Sequence, residues 1–313
     1  MKNIDAFSSF HPLVNFLYFG LTFAFSMTFT HPACLCVSLV CAVTYAIYLG
    51  GEKTARFYLF AIPPTFIFTA LINPAFSHQG VTILTYLPSG NPLTLESIIY
   101  GAAASTMLIS AIAWFSCYSA VITSDKFIYL FGRVIPVMSL LLSITLRFAS
   151  KFKARIKIVS NARKSLGQDI STGGALRRAK NGLTILSIMT TWALENAIET
   201  ADSMKSRGYG LPGRTAFSIY RFDKRDIAAL IYISLLGTYI AVGAAFNALQ
   251  WQYYPVISGT AFGAFPASVH LACFALYIAP MAVNITEDKK WTYLQSAASP
   301  STTPNDPKTP LTT

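Results

Sequence analysis

The sequence predicts an all-α fold, a polytopic bundle of about six membrane-spanning helices. Of its 313 residues, 53% are hydrophobic and only 12% are charged, roughly half the ~25% charged residues of an average soluble domain. A chain of this composition has too little polar surface to cover a water-soluble fold of its length. Long apolar runs divide it, each near the ~20 residues that a spanning helix needs. The predicted spans are Leu13–Thr30, Ala33–Gly50, Phe57–Ile72, Ser97–Ile122, Ile227–Phe246 and Gly263–Val283.

The charges between these runs predict the orientation of the chain. Lys53 and Arg56 lie in one connecting segment, whereas Asn73–Glu96 contains no Lys or Arg and Asn247–Phe262 contains no charge of either sign. Short cytoplasmic loops of membrane proteins are enriched in Lys and Arg. The two connectors without basic residues are therefore predicted to face outward, which places both termini in the cytoplasm.

The segment Lys126–Leu146 is apolar but is predicted not to cross the bilayer. Four spans have already returned the chain to the inside by Asp125, and a fifth would place the basic residues that follow outside. Arg133 near its centre would also cost at least ~2.5 kcal/mol in lipid. We interpret the segment as a helix lying along the cytoplasmic interface or against the bundle; a count of five or seven spans stays open.

The basic residues are concentrated in one part of the chain. Between Arg147 and Arg225 there are sixteen Lys and Arg against five Asp and Glu, a surplus that equals the net charge of the whole chain, +11. The positive-inside rule accounts for such a block, and no motif of a nucleic-acid-binding protein accompanies it.

We divide the chain into four parts on this pattern. They are N-terminal membrane helices (1–125), an interfacial helix with a cytoplasmic segment (126–225), C-terminal membrane helices (226–285) and a disordered tail rich in Pro, Ser and Thr (286–313).

Few residues of the spans can carry chemistry. Their apolar interiors contain no Asp, Glu, Lys or Arg, although ion-coupled carriers need such groups. The chain has no Gly-Lys dipeptide and so no phosphate-binding loop of the P-loop type. We interpret Cys34-x-Cys36 as two small helix residues, and the four histidines, His11, His31, His78 and His270, as structural. The sequence thus predicts no enzyme, cofactor or metal site.

Helical periodicity continues without a proline from Ala175 to Gly208. At about 100° per residue, three alanines lie on one face: Ala193, Ala197 and Ala201. Small residues at this spacing allow helices to cross closely, so this alanine seam is predicted to meet a partner helix. The opposite face carries an acidic stripe of Glu195, Glu199 and Asp202. Cations near the end offset the helix dipole, and Gly208 is predicted to terminate the helix.

These residues resemble a known family, the transmembrane T component of energy-coupling factor transporters. Similarity is densest from Ala162 to Arg225 and includes Arg177–Lys180 and Ala201–Gly210. The start, His11–Phe16, and the loop from His78 to Pro92 are also similar to that family, so the resemblance extends over nearly the whole chain up to the tail.

The resemblance implies two long crossed cytoplasmic coupling helices, each ending in an arginine signature that inserts into one ABC-type ATPase. The second signature maps onto Ser206, Arg207 and Gly208, with Ser where the family has Ala. The first maps onto Ala162, Arg163 and Lys164, where Lys replaces Gly and Gly167 follows three residues later. This departure leaves the first contact uncertain by a few residues.

The resemblance also implies partners and a location. They are two ABC-type ATPase subunits and a substrate-binding membrane subunit (S subunit), in the bilayer of a bacterial cell membrane, and no nucleic acid. The function so implied is that of a scaffold coupling ATP hydrolysis to vitamin or transition-metal uptake. The alternatives are an autonomous permease, against which the missing intramembrane charges argue, and an intramembrane enzyme, for which no acid pair, Ser/His set or metal cluster is evident.

Overall fold

The structure, a computed structural model, describes residues 5–77, 79–86, 92–132, 135–168, 174–212, 220–260 and 263–298. The chain forms two compact units. The membrane unit consists of Met1–Thr123 and Arg221–Thr313, and the basic unit is Ser124–Tyr220. Features predicted at His78, Asn91 and Arg133, and in residues 299–313, lie outside the described residues.

Helices dominate the described residues, as predicted for an all-α membrane protein. Eight α-helices follow one another along the described chain: α1 Pro12–Thr28, α2 Pro32–Phe76, α3 Leu95–Val121, α4 Ser124–Gly132, α5 Pro136–Ser165, α6 Ala175–Ser206, α7 Lys224–Ala245 and α8 Ala264–Ala298. A 3₁₀ turn, Phe7–Ser9, precedes them. Two short antiparallel hairpins pair β1 (Ile83–Tyr86) with β2 (Pro92–Thr94) and β3 (Trp251–Gln252) with β4 (Ser258–Gly259).

Four helices of the described chain are long and apolar enough to cross a membrane, namely α2, α3, α7 and α8. Helix α1 is also apolar but has 17 residues. Helix α2 has 45 residues, about twice the length of one span. With α1 and two halves of α2 these helices supply six apolar segments, and the number that cross the bilayer stays a prediction.

A break at Gly51 divides α2 into the two predicted spans. Gly51 has φ 68° and ψ −158°, which is not helical, so residues 32–50 and 52–76 are separate helical segments. Glycine lacks Cβ and adopts positive φ without steric cost, which is why the chain can break here. The charged turn after the break carries an exposed ion pair between Arg56 and Glu52, with 2.7 Å between Nη2 and Oε1.

Large aromatic side chains form the core of the membrane unit. Trp114, Tyr18 and Tyr277 are fully buried, and the Trp114 ring lies 6.3 Å from Tyr18 and 5.9 Å from Tyr277. The indole N–H of Trp114 donates to Ser38 Oγ at 3.0 Å. Helices approach closely where side chains are small: a Cβ on Gly101 of α3 would lie 2.4 Å from the Ala70 carbonyl oxygen of α2. These contacts join α1, α2, α3 and α8.

The predicted end of α8 is corrected by the structure. The helix continues through Ala298, so residues 286–298, assigned to a disordered tail, are helical. The exposed charges after the apolar part face away from the core, while the Tyr48 hydroxyl donates to the Asp288 carboxylate. Likewise Asn73 and Pro74, at the start of the connector predicted to face outward, lie in the last turns of α2.

The segment Lys126–Leu146 contains parts of two helices where one was predicted. Helix α4 ends at Gly132 and α5 begins at Pro136, since proline is favoured in the first turn of a helix and disfavoured inside one. The Ser139 hydroxyl of α5 donates to the Ile128 carbonyl of α4 at 3.1 Å. Within the described residues, α4 and α5 are not among the helices suited to cross a membrane.

Candidate functional site

The two long helices of the basic unit, α5 and α6, contact each other through Trp192. Its ring is stacked on Phe148 of α5, with 5.6 Å between ring centroids and an angle of 17°. Phe152 lies 6.3 Å from the same ring, and the Arg155 guanidinium carbon lies 5.7 Å from its centroid. Aromatic stacking and a cation–π contact therefore hold the two helices together at this level.

Helix α5 ends in a Schellman motif. Gly167 has φ 72°, and its N–H donates to the Lys164 carbonyl at 3.0 Å, while Gln168 N–H donates to the Arg163 carbonyl at 3.0 Å. These two bonds satisfy carbonyls that the helix would otherwise leave unpaired, and the left-handed residue between them is ordinarily glycine. Gly167 of the first predicted signature is therefore the residue that terminates α5.

Helix α6 ends in the same motif. Gly208 has φ 70°, its N–H donates to the Lys205 carbonyl at 3.0 Å, and Tyr209 N–H donates to the Met204 carbonyl at 3.0 Å. The prediction that this helix runs from Ala175 and stops at Gly208 is confirmed, since its last helical residue is Ser206.

The two helix ends place their arginines differently relative to the capping glycine. Arg207 stands immediately before Gly208, whereas Leu166 occupies the equivalent position before Gly167. Arg163 lies one turn earlier in α5, at the position that Met204 occupies in α6. When the two helices are aligned on their capping glycines, the arginine of α5 therefore lies about one helical turn earlier than the arginine of α6.

The residues of the two predicted arginine signatures differ in solvent exposure. Arg207 and Ser206 are exposed, and Gly208 is half-buried. At the other end Ala162, Lys164 and Gly167 are exposed, while Arg163 is half-buried and its Nε is buried without a hydrogen bond. Leu166 exposes 74% of its surface, so the end of α5 presents an apolar side chain where the end of α6 presents a guanidinium.

Helix α6 has a buried face and an exposed apolar face. The buried face carries Asn181, Ile185 and Met189. Roughly opposite at about 100° per residue, the exposed face carries Leu183, Leu194 and Ile198, which are 66%, 64% and 65% exposed.

The alanine seam belongs mainly to the exposed apolar face. Ala197 and Ala201 are exposed and Ala193 is half-buried, so the contacts described above between α5 and α6 run through Trp192 and not through the seam. The crossing of another helix at the seam stays a prediction.

The charge of this region is carried mostly by α5. Its sequence contains seven Lys and Arg and no Asp or Glu. The acidic residues Glu195, Glu199 and Asp202 are all exposed on α6. Helix α5 is thus strongly cationic, whereas α6 carries charges of both signs.

The structure also brings together residues that the sequence analysis treated as unrelated. His31, Cys34 and His270 of the membrane unit place one ligand atom each within 4.8 Å of one another, so these two histidines, which are far apart in the sequence, are neighbours in the fold. The repeated spacing His31-x-x-Cys34 and His270-x-x-Cys273 was the available signal, because residues three apart share a helix face.

Comparison with known proteins gives several similar chains. No protein-family model matches. The chain is 40% identical over 106 residues to the energy-coupling factor transporter transmembrane protein EcfT of Lactobacillus helveticus, which is 33% of this chain and 38% of that protein. It is 34% identical over 107 residues to EcfT of Leuconostoc gelidum, and these residues are 34% of this chain and 39% of the relative. With EcfT of Acidaminococcus fermentans the identity is 28% over 155 residues, 46% of this chain and 58% of the relative.

These matches support a T component of an energy-coupling factor transporter. The resemblance drawn from the sequence is thereby confirmed. The aligned segments span 38–58% of the lengths of these three relatives. What a T component binds and what it carries are therefore matters for proposal.

Proposed function

We propose that the chain is the membrane coupling subunit of an energy-coupling factor ABC importer, with both termini in the cytoplasm. In this proposal it transmits ATP hydrolysis in two partner ATPases to a substrate-binding membrane subunit that takes up a vitamin or a metal ion. The observation that carries it is the pair of long helices in one unit, α5 and α6, which end in the same capping motif beside exposed cationic residues.

The geometry of each end suits insertion into a groove of another protein. A Schellman cap ends the helix abruptly, so the last side chains project from a rigid support. Arg207 is exposed there, and a guanidinium forms bidentate, charge-assisted hydrogen bonds with carboxylates or carbonyls at a fixed geometry. Motion of an ATPase would then be transmitted along α6 to its contact with α5 at Trp192.

Apolar exposure on α6 supports a further protein contact. Leu183, Leu194 and Ile198 are each about two-thirds exposed on one face, next to Ala197 and Ala201. In a segment predicted to be cytoplasmic, an apolar face of this kind marks an interaction surface. We assign it to the other subunits of the transporter.

The test is co-purification and uptake. The chain is co-expressed with its native partners, isolated in mild detergent and reconstituted, and both the retained ATPase and ATP-driven uptake are measured. Arg207→Ala removes a group expected to be desolvated in the complex, at a cost of ~2–5 kcal/mol, so the Kd for the ATPases rises at least ~30-fold and less ATPase is retained. Arg207→Lys restores little, because an ammonium cannot reproduce the planar fork.

Further variants address the first helix end. The double variant Arg163→Ala with Arg207→Ala is expected to abolish uptake while membrane insertion is retained. Leu166→Ala tests which residue of α5 makes the first ATPase contact. Loss of retained ATPase in this variant assigns the contact to the position before the capping glycine, and unchanged retention assigns it to Arg163. Arg221→Ala, outside both signatures, is the matched control and should change neither readout. Normal uptake in the double variant, or recovery of the chain without ATPases, would contradict the proposal.

A further inference from the structure

His31 and His270 face each other at one end of the membrane unit. His31 is the N-cap residue of α2, where its Nδ1 accepts from Ala33 N–H at 3.3 Å. His270 lies in the second turn of α8, and its Nε2 is 3.1 Å from His31 Nδ1. The predicted topology places this end of the membrane unit on the outer side. The two histidines lie there between α2 and α8.

The hydrogen bonds of the two rings place two lone pairs against each other. His270 Nδ1 is 2.7 Å from the Pro266 carbonyl, which can only accept, so Nδ1 carries the ring hydrogen. In neutral His270 the facing Nε2 is then an acceptor, and His31 Nδ1 is an acceptor too because Ala33 donates to it. Two acceptors at 3.1 Å repel, so the contact needs a positive charge beside both nitrogens, supplied either by a second proton on His270 or by a metal ion.

A thiol completes the cluster. Cys34 lies one turn after His31 and is 4% exposed, and the ligand atoms of Cys34, His31 and His270 lie within 4.8 Å of one another. Two nitrogens on one tetrahedral Zn²⁺ at ~2.0–2.1 Å are roughly 3.3 Å apart, close to the distance found here. Imidazole and thiolate are the ligands that zinc and similar transition metals prefer.

The surroundings resemble those that orient metal ligands in proteins. The Pro266 carbonyl fixes the tautomer of His270, as outer-shell acceptors do for metal-bound histidine. The Cys34 thiol lies next to the thiol of Cys273, which is fully buried. The Trp251 ring packs edge-on against His31 at 5.0 Å.

We propose that His31, Cys34 and His270 bind one divalent transition-metal ion of the zinc class. Cys34 binds as the thiolate and releases its proton to water, while Cys273 donates a hydrogen bond to the bound sulfur. One coordination position stays open for water or an external ligand. If His31 binds through Nδ1, its lone pair leaves Ala33 N–H, so the metal replaces the N-cap contact of α2 and links that helix to α8.

The experiment uses the full chain in detergent, with an affinity tag that contains no histidine, after removal of metals by a chelator. Titration with Co²⁺ is expected to give one equivalent per chain and the absorption of a tetrahedral thiolate complex, which Zn²⁺ displaces. Cys34→Ser should abolish the thiolate band, and His270→Gln should weaken binding at least ~10-fold. Cys273→Val should weaken it ~10–100-fold, as loss of an outer-shell partner does.

The matched control is Cys36→Ser, two residues from Cys34 and exposed, which should bind Co²⁺ as the unaltered chain does. An independent measurement on the unaltered chain is the protection of Cys34 from a thiol reagent by Zn²⁺. Absence of stoichiometric Co²⁺, absence of this protection, or equal losses in Cys36→Ser and Cys34→Ser would overturn the proposal. Neither readout involves ATPases or uptake, so the outcome is independent of the coupling function.

Discussion

Trp192 determines how firmly α6 is held to α5, and its replacement by alanine gives a quantitative test. The indole contacts two aromatic rings and one guanidinium of α5. Each aromatic pair contributes ~0.5–1.5 kcal/mol, and a partly exposed cation–π contact ~0.5–1 kcal/mol. Because Trp192 is half-buried, we expect Trp192→Ala to lower the free energy of local opening by about 2 kcal/mol, toward the lower half of the combined range.

Hydrogen–deuterium exchange of the backbone amides of α6 measures this free energy directly. A loss of about 2 kcal/mol corresponds to roughly 30-fold faster exchange in the middle of the helix when the helix recloses faster than its open amides exchange. The exchange rate in Trp192→Phe should lie between those of the unaltered chain and of Trp192→Ala, since a smaller ring can still stack on Phe148. In the reconstituted complex, Trp192→Ala should also reduce uptake more than it reduces ATPase retention.

The control is Leu194→Ala, two residues along the same helix. Leu194 is 64% exposed, and surface substitutions usually change stability by less than ~0.5 kcal/mol, so exchange should stay within about twofold of the unaltered chain. If exchange in Trp192→Ala also stays within about twofold, or if Leu194→Ala has the larger effect, the contact energies assigned to Trp192 are refuted.

Two further predictions concern the cap of α6 and the path of the chain. Gly208→Ala forces a side chain into φ 70°, with its Cβ 3.0 Å from Leu211 Cδ1, and should destabilise the end of α6 by ~1–2 kcal/mol. Gly182→Ala, inside the same helix with no atom within 4 Å of the new Cβ, should stabilise it by ~0.5–1 kcal/mol. Amide exchange in α6 should therefore be faster in Gly208→Ala and slower in Gly182→Ala. If both variants changed exchange in the same direction, Gly208 would not be the cap of α6. Single cysteines at Asp125 and Lys151 should both be labelled from the cytoplasmic side, because the segment between them is predicted not to cross the bilayer. Labelling from opposite sides would make that topology wrong.

Features that depend on neighbouring residues could be predicted from the sequence. The helix from Ala175 ends beside Gly208 because the need for positive φ at a helix cap is local and glycine meets it. The division of the second and third apolar runs is also local, since Gly51 lies between them and breaks α2. Composition alone predicted an all-α membrane protein, because a chain with so few charges cannot cover a soluble fold.

Other local interpretations were wrong because tertiary contacts overrode them. The chain was predicted to be disordered from residue 286 onward, yet α8 continues to Ala298. There Lys289 and Lys290 are exposed, whereas Asp288 is half-buried and accepts a hydrogen bond from Tyr48. The outer connector was predicted to begin at Asn73, but α2 continues to Phe76, and Asn73 accepts a hydrogen bond from Ser97 of α3.

Only the tertiary structure decided which distant residues meet. His31 and His270 are 239 positions apart, and the spacing that each shares with a nearby cysteine does not show that the two segments meet. Helix α6 could be assigned a helical period but no contact with α5, and the structure shows that this contact runs through Trp192. Local sequence determines backbone conformation through steric and capping preferences, whereas proximity across the chain follows from how whole helices pack, to which many residues contribute together.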